Sequence, residues 1–162
     1  MRYWGLLLAA GLLGCAHSGT KVEPTDGEDF ARFHHIGVPS FVDSHGQGAL
    51  IADDLATALG AQLNNEPVNR KALEAVLSNY NLNSETGLGV EALEAIRKQV
   101  SADAIIFGQM APNWSAVRIT VVDAEMGTLV LRALVMPRDK KKFFTGPDEV
   151  VREILRVFAG LR

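Results

Sequence analysis

SAVRITVVDAEMGTLVLRALVMP, residues 115–137, decides the fold. Two runs rich in apolar and β-branched residues, SAVRITVVD and TLVLRALVMP, flank the turn signal DAEMG, in which Gly127 supplies a positive-φ position. The pattern predicts an antiparallel hairpin. On its second limb Leu129, Leu131, Ala133 and Val135 alternate with Thr128, Val130, Arg132 and Leu134, which gives one wholly apolar face. Such a face must be covered, and the sequence on both sides offers helices.

Upstream, DAIIFGQM (103–110) is a short apolar strand bounded by Asp103 and Gly108. Val90–Val100 presents Leu93, Ile96 and Val100 at helical spacing, and Asn69 is placed to cap RKALEAVL, with its stripe of Leu73, Val76 and Leu77. Gly48–Leu63 is amphipathic, with Ile51, Leu55, Ala58, Leu59 and Leu63 on one side and Asp53 and Asp54 opposite. NNEP ends that helix, and Pro67-Val68 is a very short strand. HHIGVPSFV (34–42) reads as a buried first strand running into the turn residues DSHGQG. Downstream, the basic loop RDKKKFF (138–144) leads to a last helix from Pro147, where Val151, Ile154, Leu155, Phe158 and Leu161 face inward and Glu149 is spaced to pair with Arg152. The expected order is β-α-(β)-α-α-β-β-β-α, an α/β domain with a mixed sheet and no internal repeat.

With 162 residues, 48% apolar and 22% charged, the chain has the composition of one ordinary globular domain. A net charge of −3 excludes the basic surplus that nucleic-acid binding requires. A single cysteine cannot form an intramolecular disulfide, so the core must suffice.

That cysteine stands at the end of an unusual N-terminus. Arg2 precedes an apolar run from Tyr3 to Leu13, too short for a membrane span but of the length of an export signal. Leu12-Leu13-Gly14-Cys15 resembles a bacterial lipobox: small Gly14 lets the scissile bond enter a signal peptidase, and the Cys15 sulfur takes the diacylglyceryl chain. The expected organisation is a signal peptide over 1–14, an acylated cysteine with a flexible polar tether over 15–29, and a periplasmic domain over 30–162. Ala16, rather than Asp, after the cysteine favours the outer membrane by analogy with lipoprotein sorting in enteric bacteria. No cofactor is expected beyond the acyl lipid on Cys15.

Other residues invite a chemical reading. Asp43, Ser44 and His45 are triad types, but consecutive residues point in different directions, whereas a triad converges from separate segments; a capped turn is the plainer reading, and a hydrolase using Ser44 and His45 is the minor alternative. His34, His35, His45 and His17 include no i, i+4 helical pair and no second thiol, which argues against zinc. Gly46, Gly48, Gly87 and Gly89 match no phosphate-binding pattern, and GQGALIADD lacks the Lys-Ser/Thr of a P-loop. Lys140, Lys141 and Lys142 form the one concentrated charge, placed in a solvated loop or against anionic headgroups or an acidic partner.

Taken in order, VPSFVDS (38–44), GALIADDLATALGAQL (48–63), VNRKALEAVL (68–77), SADAIIFGQM (101–110) and VRITVVDAEMGTLVL (117–131) resemble the pattern of the CsgG family of curli-secretion lipoproteins. That group includes the peptidoglycan-synthase activator LpoB, the flagellar lipoprotein FlgO and the N-terminal domain of TolB. The resemblance implies an α/β sandwich without enzymatic activity that works through protein partners in the cell envelope as an outer-membrane lipoprotein facing the periplasm; an oligomer is compatible with it. The group's motif positions correspond to Arg70, Asp103, Gly108, Asp123 and Gly127, which read as an ion-pairing or capping residue and turn-formers. Pore-forming members insert long hairpins, and a membrane strand needs about 9–11 residues. The connections 110–115 and 123–127 are too tight for that, so an export-pore subunit stands only as the alternative. The synthase activators carry a long tether, and residues 15–29 are shorter.

Overall fold

The computed structural model describes residues 20–24, 30–63, 66, 68–80, 88–138 and 142–160. In chain order the elements are β1 (Lys21–Pro24), a single 3-10 turn (Phe30–Arg32), β2 (Ile36–Gly37), α1 (Gly48–Leu63), α2 (Arg70–Asn79), α3 (Val90–Gln99), β3 (Ala104–Met110), β4 (Val117–Asp123), β5 (Leu129–Val135) and α4 (Pro147–Ala159). The predicted hairpin sits at the centre of one five-stranded sheet of order β1-β5-β4-β3-β2. β2 runs parallel to β3 and the other neighbours are antiparallel, so the sheet is mixed.

The two faces bury different sets of residues, as strand alternation requires. One core joins Ile51, Leu55 and Leu59 of α1 and Val150, Ile154 and Phe158 of α4 to Ile106, Ile119, Val121, Leu131 and Ala133 of the sheet. A smaller core on the opposite face joins Leu73 and Val76 of α2 and Ala95 and Ile96 of α3 to Ile105 and Val122. Each fully buried Leu or Ile contributes roughly 1.5–3 kcal/mol, so the first layer carries most of the stability.

Several details depart from the sequence reading. Lys21–Pro24, expected within the tether, is an edge strand pairing Lys21 with Leu134 and Pro24 with Leu131. The folded unit therefore starts before residue 30. Lys21 and Glu23 are exposed there and Pro24 ends the strand, features that suit an edge. Secondly, 34–42 is not one continuous strand: only Ile36–Gly37 joins the ladder, and Val42 returns as an isolated parallel bridge to Gln109. Pro39 lies between them without an N–H to donate. Val68 belongs to no strand, and Pro67 lies outside the described residues.

Thirdly, the alternation of β5 is broken. The pairing slips between Val121↔Leu131 and Val122↔Leu129, leaving Val130 as the extra residue of a bulge. Val130 and Leu131 consequently enter the same core, while Leu129 is only half-buried. At the start of α4, the Glu149 carboxylate turns back to accept the Thr145 amide and hydroxyl at 2.9 and 2.6 Å.

Candidate functional site

Arg70 opens α2, where the Asn69 side chain accepts the Ala72 amide at 3.1 Å as an N-cap. Its guanidinium grips Asp53 of α1 with two bonds, Nε to Oδ1 at 2.8 Å and Nη2 to Oδ2 at 3.1 Å. Nη1 reaches the Ser40 hydroxyl at 2.9 Å and Glu74 Oε1 at 3.1 Å. Ser40 in turn donates its amide and hydroxyl to the same Glu74 oxygen, at 2.8 and 2.6 Å. Burial pushes the Glu74 carboxyl up, but the two Ser40 donors and Arg70 outweigh it and hold it below the usual glutamate range. Hydrogen bonds from the Asp53 and Glu74 carboxylates raise Arg70 further above its already high value. The cluster ties α1, α2 and the strand-like segment before α1 to one another.

Asp103 and Asp123 close the end of the sheet where β3 begins and β4 ends. Asp103 accepts the His34 amide at 2.7 Å and the His35 amide at 3.0 Å. Asp123 is buried; its Oδ1 accepts the Glu125 and Met126 amides at 2.7 Å each, and its Oδ2 pairs with Arg32. That Asx turn shapes the β4–β5 connection, which Gly127 completes at φ 71°. A side chain on Gly127 would also meet Leu93 Cδ1 at 2.8 Å. Gly108 is bare because the Phe41 ring lies on it: a Cβ there would stand 2.2–2.4 Å from three ring carbons.

Asp43, Ser44 and His45 are not assembled as a triad. The Asp43 carboxylate accepts the Gln47 amide at 2.7 Å and the Trp114 indole N–H at 3.0 Å. His45 Nε2 donates to the Pro112 carbonyl at 2.9 Å, with its ring edge-on to Trp114. Burial raises the Asp43 carboxyl, and the Gln47 and His45 amides, the indole and the His45 charge bring it down below its ordinary value. His35 faces Glu66, 3.1 Å from Nε2 to Oε2. Among the described residues no group of three His, Cys, Asp or Glu side chains is disposed to hold a metal ion. Lys142 is exposed. Gly14, Cys15, His17, Gly87, Lys140 and Lys141 lie outside the described residues, within which no helix is long and apolar enough to cross a membrane.

No protein-family model matches the chain, and no curated protein does. Solved structures do. A variant PelC dodecamer from Paraburkholderia phytofirmans superimposes with a TM-score of 0.52 at 17% identity, covering 87% of this chain and 97% of that one. The chain shares the fold of PelC. LpoB from Escherichia coli, of the group the sequence resembles, is also among the neighbours, with a TM-score of 0.45 at 14% identity, 62% of this chain and 55% of that one.

On the PelC fold, this chain's polar side chains act mainly on its own backbone and helices. Several of these partners escaped the sequence reading. Asp53 seemed a solvent-facing acid, yet it is the second half of the Arg70 pair. Trp114 carried no signal at all, although it adopts φ 58° and anchors the β3–β4 loop through Asp43. Arg32, whose guanidinium also lies 4.5 Å from the Phe33 ring centre, is 91 residues from Asp123 in sequence, too far for any local pattern to join them.

Proposed function

We propose that the protein is a lipid-anchored, non-enzymatic outer-membrane lipoprotein that binds and organises a protein partner of the cell envelope, in appendage assembly, secretion or peptidoglycan synthesis. The observation that carries this reading is the spacing of Cys15 from the domain. The cysteine ends an apolar signal-like run, and Thr20, at the head of edge strand β1, follows five residues later. Five residues span at most about 18 Å, so an acylated Cys15 would hold the domain against its membrane, where it acts by contact. The carboxylates of Asp43, Glu74, Asp103 and Asp123 are all occupied by donors of the fold, which supports a binding role over a catalytic one.

A second reading, a ring-forming subunit of an export assembly, is favoured by one observation: the shared fold belongs to a protein solved as a dodecamer. Replacing Cys15 by Ala separates anchored from free protein. The variant is expected in the soluble fraction after membrane flotation, and retention on the membrane would refute the lipoprotein reading. Crosslinking in intact envelopes then distinguishes a heterologous partner from a ladder of copies of this chain.

A further inference from the structure

By strand register, Lys21, Leu134, Arg118 and Gln109 form one transverse row near an end of the sheet. Beyond that row lie Thr20, Met136, Arg138 and the β3–β4 loop around Trp114, to whose carbonyl the Phe144 amide donates at 2.8 Å. Lys142 and Phe143 therefore stand at the same end. So does a groove of about 420 Å³ between β1 and the C-terminal half of α4, with Val22, Met136 and Val157 on its walls and Arg138 and Arg156 at its rim. Phe143 is 48% and Met136 36% exposed, large apolar side chains set among cations. Among the described residues its acidic neighbours include Glu153, paired with Arg156, and Glu23, two rows further in opposite Arg132.

We propose that this end of the sheet docks on an anionic lipid headgroup layer, with Met136 and Phe143 dipping into it and Lys21, Arg138 and Lys142 against the phosphates. The inference rests on acylation of Cys15. Two observations select lipid as the occupant. Thr20, the residue through which the chain leaves toward Cys15, emerges at this end. The cations beside apolar side chains complement a charged surface over an apolar interior. Because the anchor keeps the domain within about 18 Å of the bilayer, the effective concentration is high and weak contacts suffice. Each cation near such a surface shifts the docked-to-undocked ratio about fivefold.

The chain has one cysteine, consumed by the lipid, so an introduced cysteine is a unique labelling site. The full acylated protein, as Met136→Cys, Phe143→Cys or the control Met126→Cys, is labelled with a polarity-sensitive fluorophore and reconstituted into vesicles of phosphatidylethanolamine and phosphatidylglycerol with dibrominated acyl chains. Met126 is exposed in the β4–β5 turn, at the opposite end of strands about 23 Å long. The expected result is a blue shift and at least about twofold quenching at 136 and 143, neither at 126, and partial loss of quenching in Arg138→Gln with Lys142→Gln. Water-like emission at 136 and 143 on vesicle-bound protein overturns the docking and leaves the anchor standing. A blue shift without quenching assigns the face to a protein contact and also overturns it. Protein that does not float with the vesicles sinks the lipoprotein reading and this one together.

Discussion

Gly108→Ala tests whether the packing of the segment before α1 is as tight as its geometry. The added Cβ would lie 2.2 Å from Phe41 Cδ2, 2.3 Å from Cε2 and 2.4 Å from Cγ, where carbon atoms prefer about 3.5–4.0 Å. The ring must retreat by more than about 1 Å, and its main chain blocks the way. The Phe41 amide donates to the Gly48 carbonyl at 3.1 Å, and Val42 is bonded to β3 on both sides, its amide to Gly108 and its carbonyl to Met110, at 2.9 Å each. Behind it stands α1, so close that a Cβ on Gly48 would be 1.9 Å from the Phe41 carbonyl oxygen. Overpacking of this kind costs about 1–3 kcal/mol, offset by less than about 1 kcal/mol from the stiffer unfolded chain. A net loss of about 2 kcal/mol lowers the urea midpoint by about 1 M for a slope near 2 kcal/mol/M. Phe41→Ala alone costs about 3–5 kcal/mol, but it removes the obstacle, so the double variant loses less than the sum of the singles, by about 1–2 kcal/mol. Strict additivity, or Gly108→Ala within about 0.5 kcal/mol of the parent, would refute the steric argument.

Two further outcomes follow from carboxylates that the fold engages, Asp123 and Glu74. Asp123→Ala strips the Glu125 and Met126 amides of their acceptor and leaves Arg32 without this partner, a loss of about 2–4 kcal/mol in chemical unfolding; Asp123→Asn keeps the amide acceptor and costs about half as much, and equal costs would show that the turn bonds contribute little. Glu74 titrates below its ordinary value in the folded state, so it contributes stability above about pH 4.5 that is lost as pH falls through the folded value. The stability gap between the parent and Glu74→Gln should therefore shrink from about pH 7 to about pH 3, and a gap independent of pH contradicts the assigned network.

The sequence made the hairpin, the four helices and the Asn69 cap legible because each rests on local physics: period-two or period-3.6 burial, a positive-φ glycine, a side chain within three residues of the amide it caps. Strand β1 was hidden for the opposite reason. An edge strand gains its order from the ladder it joins rather than from an apolar run, and KVEP has only one large apolar side chain, Val22. The bulge at Val130 was equally invisible, since a single extra residue changes which side chain faces inward without altering composition. For the candidate site, the sequence pointed to Arg70, Asp103 and Asp123, but their partners Asp53, Ser40 and Arg32 come from other elements. Only the fold brings those together.

The same residues give the domain a polarity that its near-neutral composition conceals. At the end where β3 starts and β4 stops, Asp103 and Asp123 bind the loops inward through main-chain amides, and Gly127 packs against Leu93. Acidic side chains are consumed there in construction. At the opposite end, where Thr20 emerges, Lys21, Arg138 and Lys142 stand exposed beside Phe143 and Met136. A net charge of −3 averaged over the chain thus gives a poor account of the field at either end, because an ion spent in a turn bond acts over a few ångströms while an exposed cation acts over a Debye length of about 8–10 Å. Attraction between the cationic end and a negative surface should for that reason fall with ionic strength, whereas the Asp123 turn, buried and hydrogen-bonded, should not. Salt dependence separates the residues that build this fold from those that place it.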